Sequence, residues 1–210
     1  MTEQGDLGNL DGDAGDNVEG SGHRDRDEPR APATRSDGYA PLRTYAAIGD
    51  GRTVALVADD GRIDWFPVPN LHSRPVFASL LDAESGGRLE LAPTQPFQVQ
   101  RQYVVGTNVL QTTFTTATGS VRVTDSLNTG VAGRLPWTEL ARRVDGLSGT
   151  VPMAWQVLPG TVLSTASPWV QETVHGPVLR VDGVTLAVRL LGDTTCVAAD
   201  QSISGVFSTS

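Results

Sequence analysis

The stretch TVALVADDGRIDWFPV, residues 53–68, is two apolar runs hinged on Asp59-Asp60-Gly61. A three-residue connection closing on Gly, which adopts positive φ without penalty, is a hairpin signal between strands. The device recurs along the chain. TNVLQTTFTTATGSVRVTDSL, residues 107–127, places Ala117-Thr118-Gly119 between two runs rich in Thr and Val. QETVHGPVLRVDGVTLAVRLL, residues 171–191, has turns at His175-Gly176-Pro177 and Asp182-Gly183, and Val184, Leu186, Val188 and Leu190 alternate with Thr185, Ala187 and Arg189. In ELARRVDGLSGTVPMAWQVLP, residues 139–159, Val151, Met153, Trp155 and Val157 share one face, the period of a half-buried strand. Turn signals at intervals of about ten residues predict an all-β protein, an antiparallel sandwich.

Helical signals are sparse. Pro75-Val76-Phe77-Ala78-Ser79-Leu80-Leu81 is long enough for about two turns, with Ser73 as cap and Pro75 in the first turn. The closing ISGVFSTS, residues 203–210, reads as another strand that needs a neighbour to cover its edge. It implies a sandwich incomplete at its C-terminal side, with an open edge, an exposed apolar face and a tendency to aggregate or to depend on a partner.

Charge divides the chain. Of 210 residues with formal net charge −8, residues 1–38 hold ten Asp or Glu against four Arg, and the other 172 hold fourteen against twelve. The acidity therefore belongs to a leader that is poor in large apolar side chains, and such a segment is expected to be disordered. Residues 39–210 form the expected domain. A near-neutral body without a basic cluster gives no footprint for nucleic acid. Every basic residue is Arg and none is Lys, which reads as coding bias. No run approaches the roughly 18 apolar residues of a membrane span. The start MTEQGDLGNLDGDAG lacks a secretory pattern and there is one Cys, so a cytoplasmic protein is expected.

Residues with chemistry are thinly spread. His23, His72 and His175 are far apart and Cys196 stands alone, which gives no metal-ligand spacing and no expected cofactor. Cys196 reads as a small buried apolar residue. The Gly-rich turn at residues 49–53 lacks the strand-to-helix setting of a phosphate loop. Asp59 and Asp60 fit a solvated hairpin tip. Asp64 precedes Trp65 in a strand and is expected to bond backbone or an Arg. Work as a general acid requires burial that raises the carboxyl pKa, and nothing in the pattern demands it here.

One long run is more specific than any of these motifs. IGDGRTVALVADDGRIDWFPVPNLHSRPVFASLLDAESGGRLELAP, residues 48–93, resembles the amino-terminal β-domain of glycoside hydrolase family 15, the group of bacterial glucoamylases and a set of trehalases. The likeness continues through residues 107–127 and 135–157 and covers essentially residues 39–210. It implies a β-sandwich packed on an (α/α)6 barrel, where two glutamates invert an α-glucoside. Neither glutamate has a counterpart here, so the resemblance implies no catalytic residue in this chain. It implies a truncated product, inactive alone, whose barrel would be supplied in cis or in trans.

Within the resemblance, Asp64 and Trp65 belong to the structural motif. The turn Asn70, Leu71, His72, Ser73 and Arg74 matches a loop where the family carries Arg, Phe and Asp in place of Asn70, Leu71 and His72. That loop, with Asn70, His72, Ser73 and Arg74 as candidates, is expected to approach the barrel's sugar pocket. The alternatives are a surface turn that touches the barrel for stability, a stand-alone carbohydrate-binding or adaptor sandwich using some of Trp65, Trp137, Trp155 and Trp169, and one half of a split hydrolase. Trehalose and malto-oligosaccharide are not distinguished.

Overall fold

The computed structural model describes residues 28–129 and 137–210. A 3-10 turn at Leu42–Thr44 leads into β1 (Ala46–Gly49), β2 (Val54–Val57), β3 (Ile63–Pro67), β4 (Pro75–Phe77) and β5 (Gly87–Pro93). Then come β6 (Phe97–Tyr103), β7 (Leu110–Thr116), β8 (Gly119–Asn128), β9 (Glu139–Gly149) and β10 (Val151–Pro159). The chain continues through β11 (Trp169–Gln171), β12 (Val178–Val181), β13 (Val184–Ala187), β14 (Val197–Ala198) and β15 (Ile203–Thr209).

Three antiparallel sheets result. The largest runs β1-β2-β3-β5-β10-β15-β14 with β4 added beside β3; a four-stranded sheet runs β6-β7-β8-β9, and a small one β11-β12-β13. The hairpin at Asp59-Asp60-Gly61 forms as expected, closed by Ala58 N–H donating to Arg62 O at 2.8 Å. Gly61 has φ +88°, and a Cβ there would lie 2.3 Å from Leu91 O, so glycine is required twice over. Asp182 and Gly183, at φ 43° and 77°, join β12 to β13 as a two-residue turn with both central residues left-handed.

The core lies between the two larger sheets. Ile48, Val57, Ile63 and Met153 come from one side, and Val99, Leu110, Phe114, Val121 and Val123 from the other. Phe97 meets Phe114 edge-to-face at 4.9 Å. In β10 the expected face of Val151, Met153, Trp155 and Val157 is buried in strict alternation. Leu179 and Val181 bring the small sheet into the same cluster.

The structure departs from expectation at three places in the fold. The segment Pro75–Leu81 is not a helix: Pro75–Phe77 is β4, buried at all three positions, and pairs with β3 through Phe66↔Phe77 and Pro67↔Pro75. Packing on both sides, including the Phe66–Phe77 stack at 6.3 Å, overrides a modest local helical preference. Second, the fold begins before residue 39. Arg30 exchanges both backbone hydrogen bonds with Val99 on the free edge of β6, and Arg30 and Arg35 reach the β2–β3 hairpin. Residues 1–27 lie outside the described residues. Third, Asp59 is buried rather than a solvated tip, and Cys196 is exposed rather than buried. The closing strand β15 pairs with β10 from Val151↔Thr209 to Val157↔Ile203, and β14 and the Thr195 hydroxyl lie on its other edge near Ser204 and Val206.

Candidate functional site

Two clusters concentrate polar chemistry. The first surrounds Asp64 in β3. Its buried carboxylate accepts from Arg35 Nη2 at 2.8 Å, Tyr45 Oη at 2.7 Å and Ser79 Oγ at 2.7 Å, and lies 3.2 Å from Arg62 Nε. Burial alone would raise this carboxyl pKa, but the Ser79 and Tyr45 hydrogen bonds and the Arg62 and Arg35 charges outweigh it and hold the group below the usual carboxylate range. Tyr45 is pushed well above its ordinary value, by burial first and then by its bond to Asp64. Asp59 pairs with Arg30 at 2.8 Å, and Asp60 with Arg35 Nε at 2.6 Å. In β8, buried Asp125 takes a bidentate grip from Arg142 of β9 (2.7 and 3.1 Å), whose third nitrogen donates to Gly61 O at 2.9 Å.

Each of these carboxylates meets an Arg, and Asp64 gathers the most partners. A general acid must carry a proton near working pH, and the shift at Asp64 runs the other way. The networks stitch elements together: Arg142 ties the four-stranded sheet to the β2–β3 hairpin, and Asp64 gathers residue 35, β1's approach at Tyr45 and the turn after β4. Asp64 therefore bonds Arg, as expected, together with two hydroxyls that the sequence did not reveal. Among the described residues, no group of three or more His, Cys, Asp or Glu is placed to hold a metal ion. No helix among them is long and apolar enough to cross a membrane.

The second cluster is the loop between β3 and β4. Ser73 N–H donates to Asn70 O at 2.9 Å, while Asn70 N–H donates to Ser73 Oγ at 3.1 Å, so Ser73 closes the loop instead of capping a helix. Leu71 N–H anchors it to Arg52 O at 2.8 Å. His72 projects from the exposed tip. Arg74 crosses to the small sheet: its Nη1 lies 3.2 Å from Asp182 Oδ2 and 3.4 Å from Thr165 Oγ1.

Beneath that bridge is a cavity of about 280 Å³. Val68 and Val76 wall it from the loop side, Val162 from the turn after β10, and Val181 and Val184 from the β12–β13 hairpin. Arg74 and Asp182, 63% and 42% exposed at their side chains, stand at its opening. The turn carrying Val162 is unusual. Val162, Leu163 and Ser164 have φ of 51°, 57° and 65°, a left-handed turn closed by Thr165 N–H donating to Thr161 O. For residues with a Cβ this costs roughly 1–2 kcal/mol each, and β-branched Val162 is the most strained.

Of the four predicted site residues, only Arg74 lines the cavity; Asn70 and Ser73 shape the loop, and His72 faces solvent. Sequence reasoning read Asp182 only as a turn residue and gave Val162 no role, and that both line one cavity with Arg74 leaves no local signal. It also missed the Asp125–Arg142 pair, for which a signal existed: strand alternation puts Asp125 inward with Val123 and Leu127, and Arg142 inward with Leu140 and Val144. Among the Trp residues, Trp155 is in the core and donates to Thr194 Oγ1 at 3.0 Å, whereas Trp137 and Trp169 are 58% and 52% exposed. Trp137 Nε1 donates to Glu139 at 3.3 Å.

Comparison with known proteins gives this architecture its relatives. The family model "Trehalase-like, N-terminal" matches residues 35–190. A trehalase of Thermoplasma volcanium is 30% identical over 156 residues, covering 72% of this chain and 25% of the relative. A trehalase of Mycobacterium tuberculosis is 33% identical over 118 residues, 56% of this chain and 16% of the relative, and trehalase 2 of Sulfolobus acidocaldarius is 40% identical over 70 residues, 33% and 12%. No solved structure matches. The chain spans about a quarter of the length of the Thermoplasma relatives it matches. With the match covering most of the sandwich, from the Arg35 anchor to the small sheet, the chain belongs to the family of trehalase-like N-terminal domains.

Proposed function

We propose that this chain is the non-catalytic β-sandwich domain of a family 15 glycoside hydrolase, of trehalase or glucoamylase type, and that it releases no glucose by itself. Its role is to support a catalytic (α/α)6 part acting on an α-glucoside, present in cis or in trans. The observation that carries this reading is the setting of Asp64: against the effect of burial, its Ser79 and Tyr45 hydrogen bonds and the Arg62 and Arg35 charges hold it below the usual carboxylate range, whereas hydrolysis of a glycoside requires one carboxyl that keeps its proton. The trehalases matched here have about three quarters of their length beyond the matched region. The loop of Asn70, His72, Ser73 and Arg74 then faces that catalytic part. A single Cys and a near-neutral body fit work in the cytoplasm, with no nucleic acid partner.

The exposure of Trp137 and Trp169 favours a second reading, a stand-alone carbohydrate-binding module. Calorimetric titration of the purified chain with trehalose and maltotriose separates the two. The supporting-domain reading expects no saturable heat. Saturable binding lost on Trp137→Ala or Trp169→Ala would establish the module instead.

A further inference from the structure

A strand at the edge of a sheet leaves a row of N–H and C=O groups without partners, and folded proteins blunt such edges by keeping them short or covering them. This molecule does so elsewhere. β1 has four residues, β14 two, and β11 and β13 of the small sheet three and four. The seven-residue β6 is met by Arg30, which exchanges both backbone hydrogen bonds with Val99. β9 is the exception. At eleven residues it is the longest strand described, it contains no proline, and among the described residues only β8 pairs with it. The end of β15 approaches at Gly146, but Ser210 O lies where a Cβ would point, off the plane of the sheet, so the edge itself stays open.

We propose that β9 pairs with β9 of a second copy of this chain, antiparallel about a two-fold axis at Val144, joining the two four-stranded sheets edge to edge. The proposal does not depend on what the domain supports. Charge selects both the occupant and the register. Arg143 and Asp145 flank the core-packed Val144 and share the opposite face, 2.7 Å apart and 77% and 34% exposed at their side chains. With the axis at Val144, Arg143 of each copy lies opposite Asp145 of the other, which makes two matched pairs, and Val144 meets its own counterpart on the core side. Moving the axis by one residue sets Arg143 against Arg143 or Asp145 against Asp145, and like charges directly opposite are destabilising. A two-fold contact requires such self-complementarity, and an identical strand run antiparallel carries the matching alternation by symmetry. The Arg143–Asp145 contact within one strand is exposed and contributes little by itself, so exchanging it across the axis loses almost nothing.

The test is sedimentation velocity of the whole chain in reducing buffer over a wide range of concentration, with circular dichroism to check that each variant is folded. The parent is expected to pass from monomer to dimer as concentration rises. Arg143→Asp and Asp145→Arg each set like charges opposite one another and should weaken dimerisation by about tenfold or more. An equimolar mixture of the two variants restores both matched pairs and should dimerise like the parent. On oxidation, Val144→Cys in a Cys196→Ser background should form a covalent dimer, and Ala141→Cys in the same background should not. A monomer at every concentration would overturn the proposal and leave the edge to another occupant, such as the catalytic part. A dimer indifferent to both charge reversals, a mixture that fails to recover, or crosslinking at Ala141 in place of Val144 would overturn it as well.

Discussion

Replacing Asp64 by Ala removes the acceptor shared by Arg35, Tyr45, Ser79 and Arg62, three of which lie within 2.8 Å of it. Breaking one side of a buried ion pair costs about 3–5 kcal/mol, because the surviving charge is left uncompensated. Domains of this size have total stabilities of about 5–15 kcal/mol, so the change consumes a large part of the margin. At about 2–4 °C per kcal/mol for 150–250 residues, Tm should fall by about 6–20 °C. The assay is thermal and urea unfolding followed by far-UV circular dichroism.

The same carboxylate sets an acid limit. Its folded-state pKa is depressed below the unfolded value of about 3.9, so its contribution is fully present above about pH 4 and is lost as pH falls through the folded value. Asp64→Asn should therefore be less stable than the parent at pH 7 and lose less on going from pH 4 to pH 2. A variant as stable as the parent at pH 7, or one with the parent's full acid slope, would refute the reasoning.

Two other perturbations follow from the same contacts. A chain that starts at residue 39 lacks the Arg30 and Arg35 partners of Asp59, Asp60 and Asp64 and should unfold at clearly lower urea than one that starts at residue 28; equal midpoints would return the fold boundary to residue 39. Arg142→Ala should cost about 3–5 kcal/mol by stranding buried Asp125, and adding Asp125→Ala should recover part of the loss, which a double-mutant cycle in urea measures.

The strand architecture was legible because turns and alternation are local. Asp59-Asp60-Gly61 and Asp182-Gly183 announce their hairpins within three residues, and Val151 to Val157 announces its buried face. The misreadings at Pro75–Phe77, Arg35 and Asp59 share one cause, a partner outside the local stretch. Pro75–Phe77 looks helical until β3 lies beside it. Arg35 looks like part of a solvated leader until Asp60 and Asp64, 25 and 29 residues away, meet its guanidinium. Asp59 looks solvated until Arg30 covers it.

The candidate site follows the same rule. Arg74 was singled out from the resemblance, but its partner Asp182 lies 108 residues on, and the left-handed turn at Val162 has no Gly or Asn to mark it. The family match, by contrast, rests on a long contiguous run and needed no tertiary information.

The central claim is that the sandwich supports a glycosidase without cutting the bond itself. Glucose release from trehalose and from maltose by the purified chain, from pH 4 to pH 8, tests it most directly. The account expects no release above the buffer rate at any chain concentration; release that rises in proportion to the chain and vanishes when it is unfolded would contradict it.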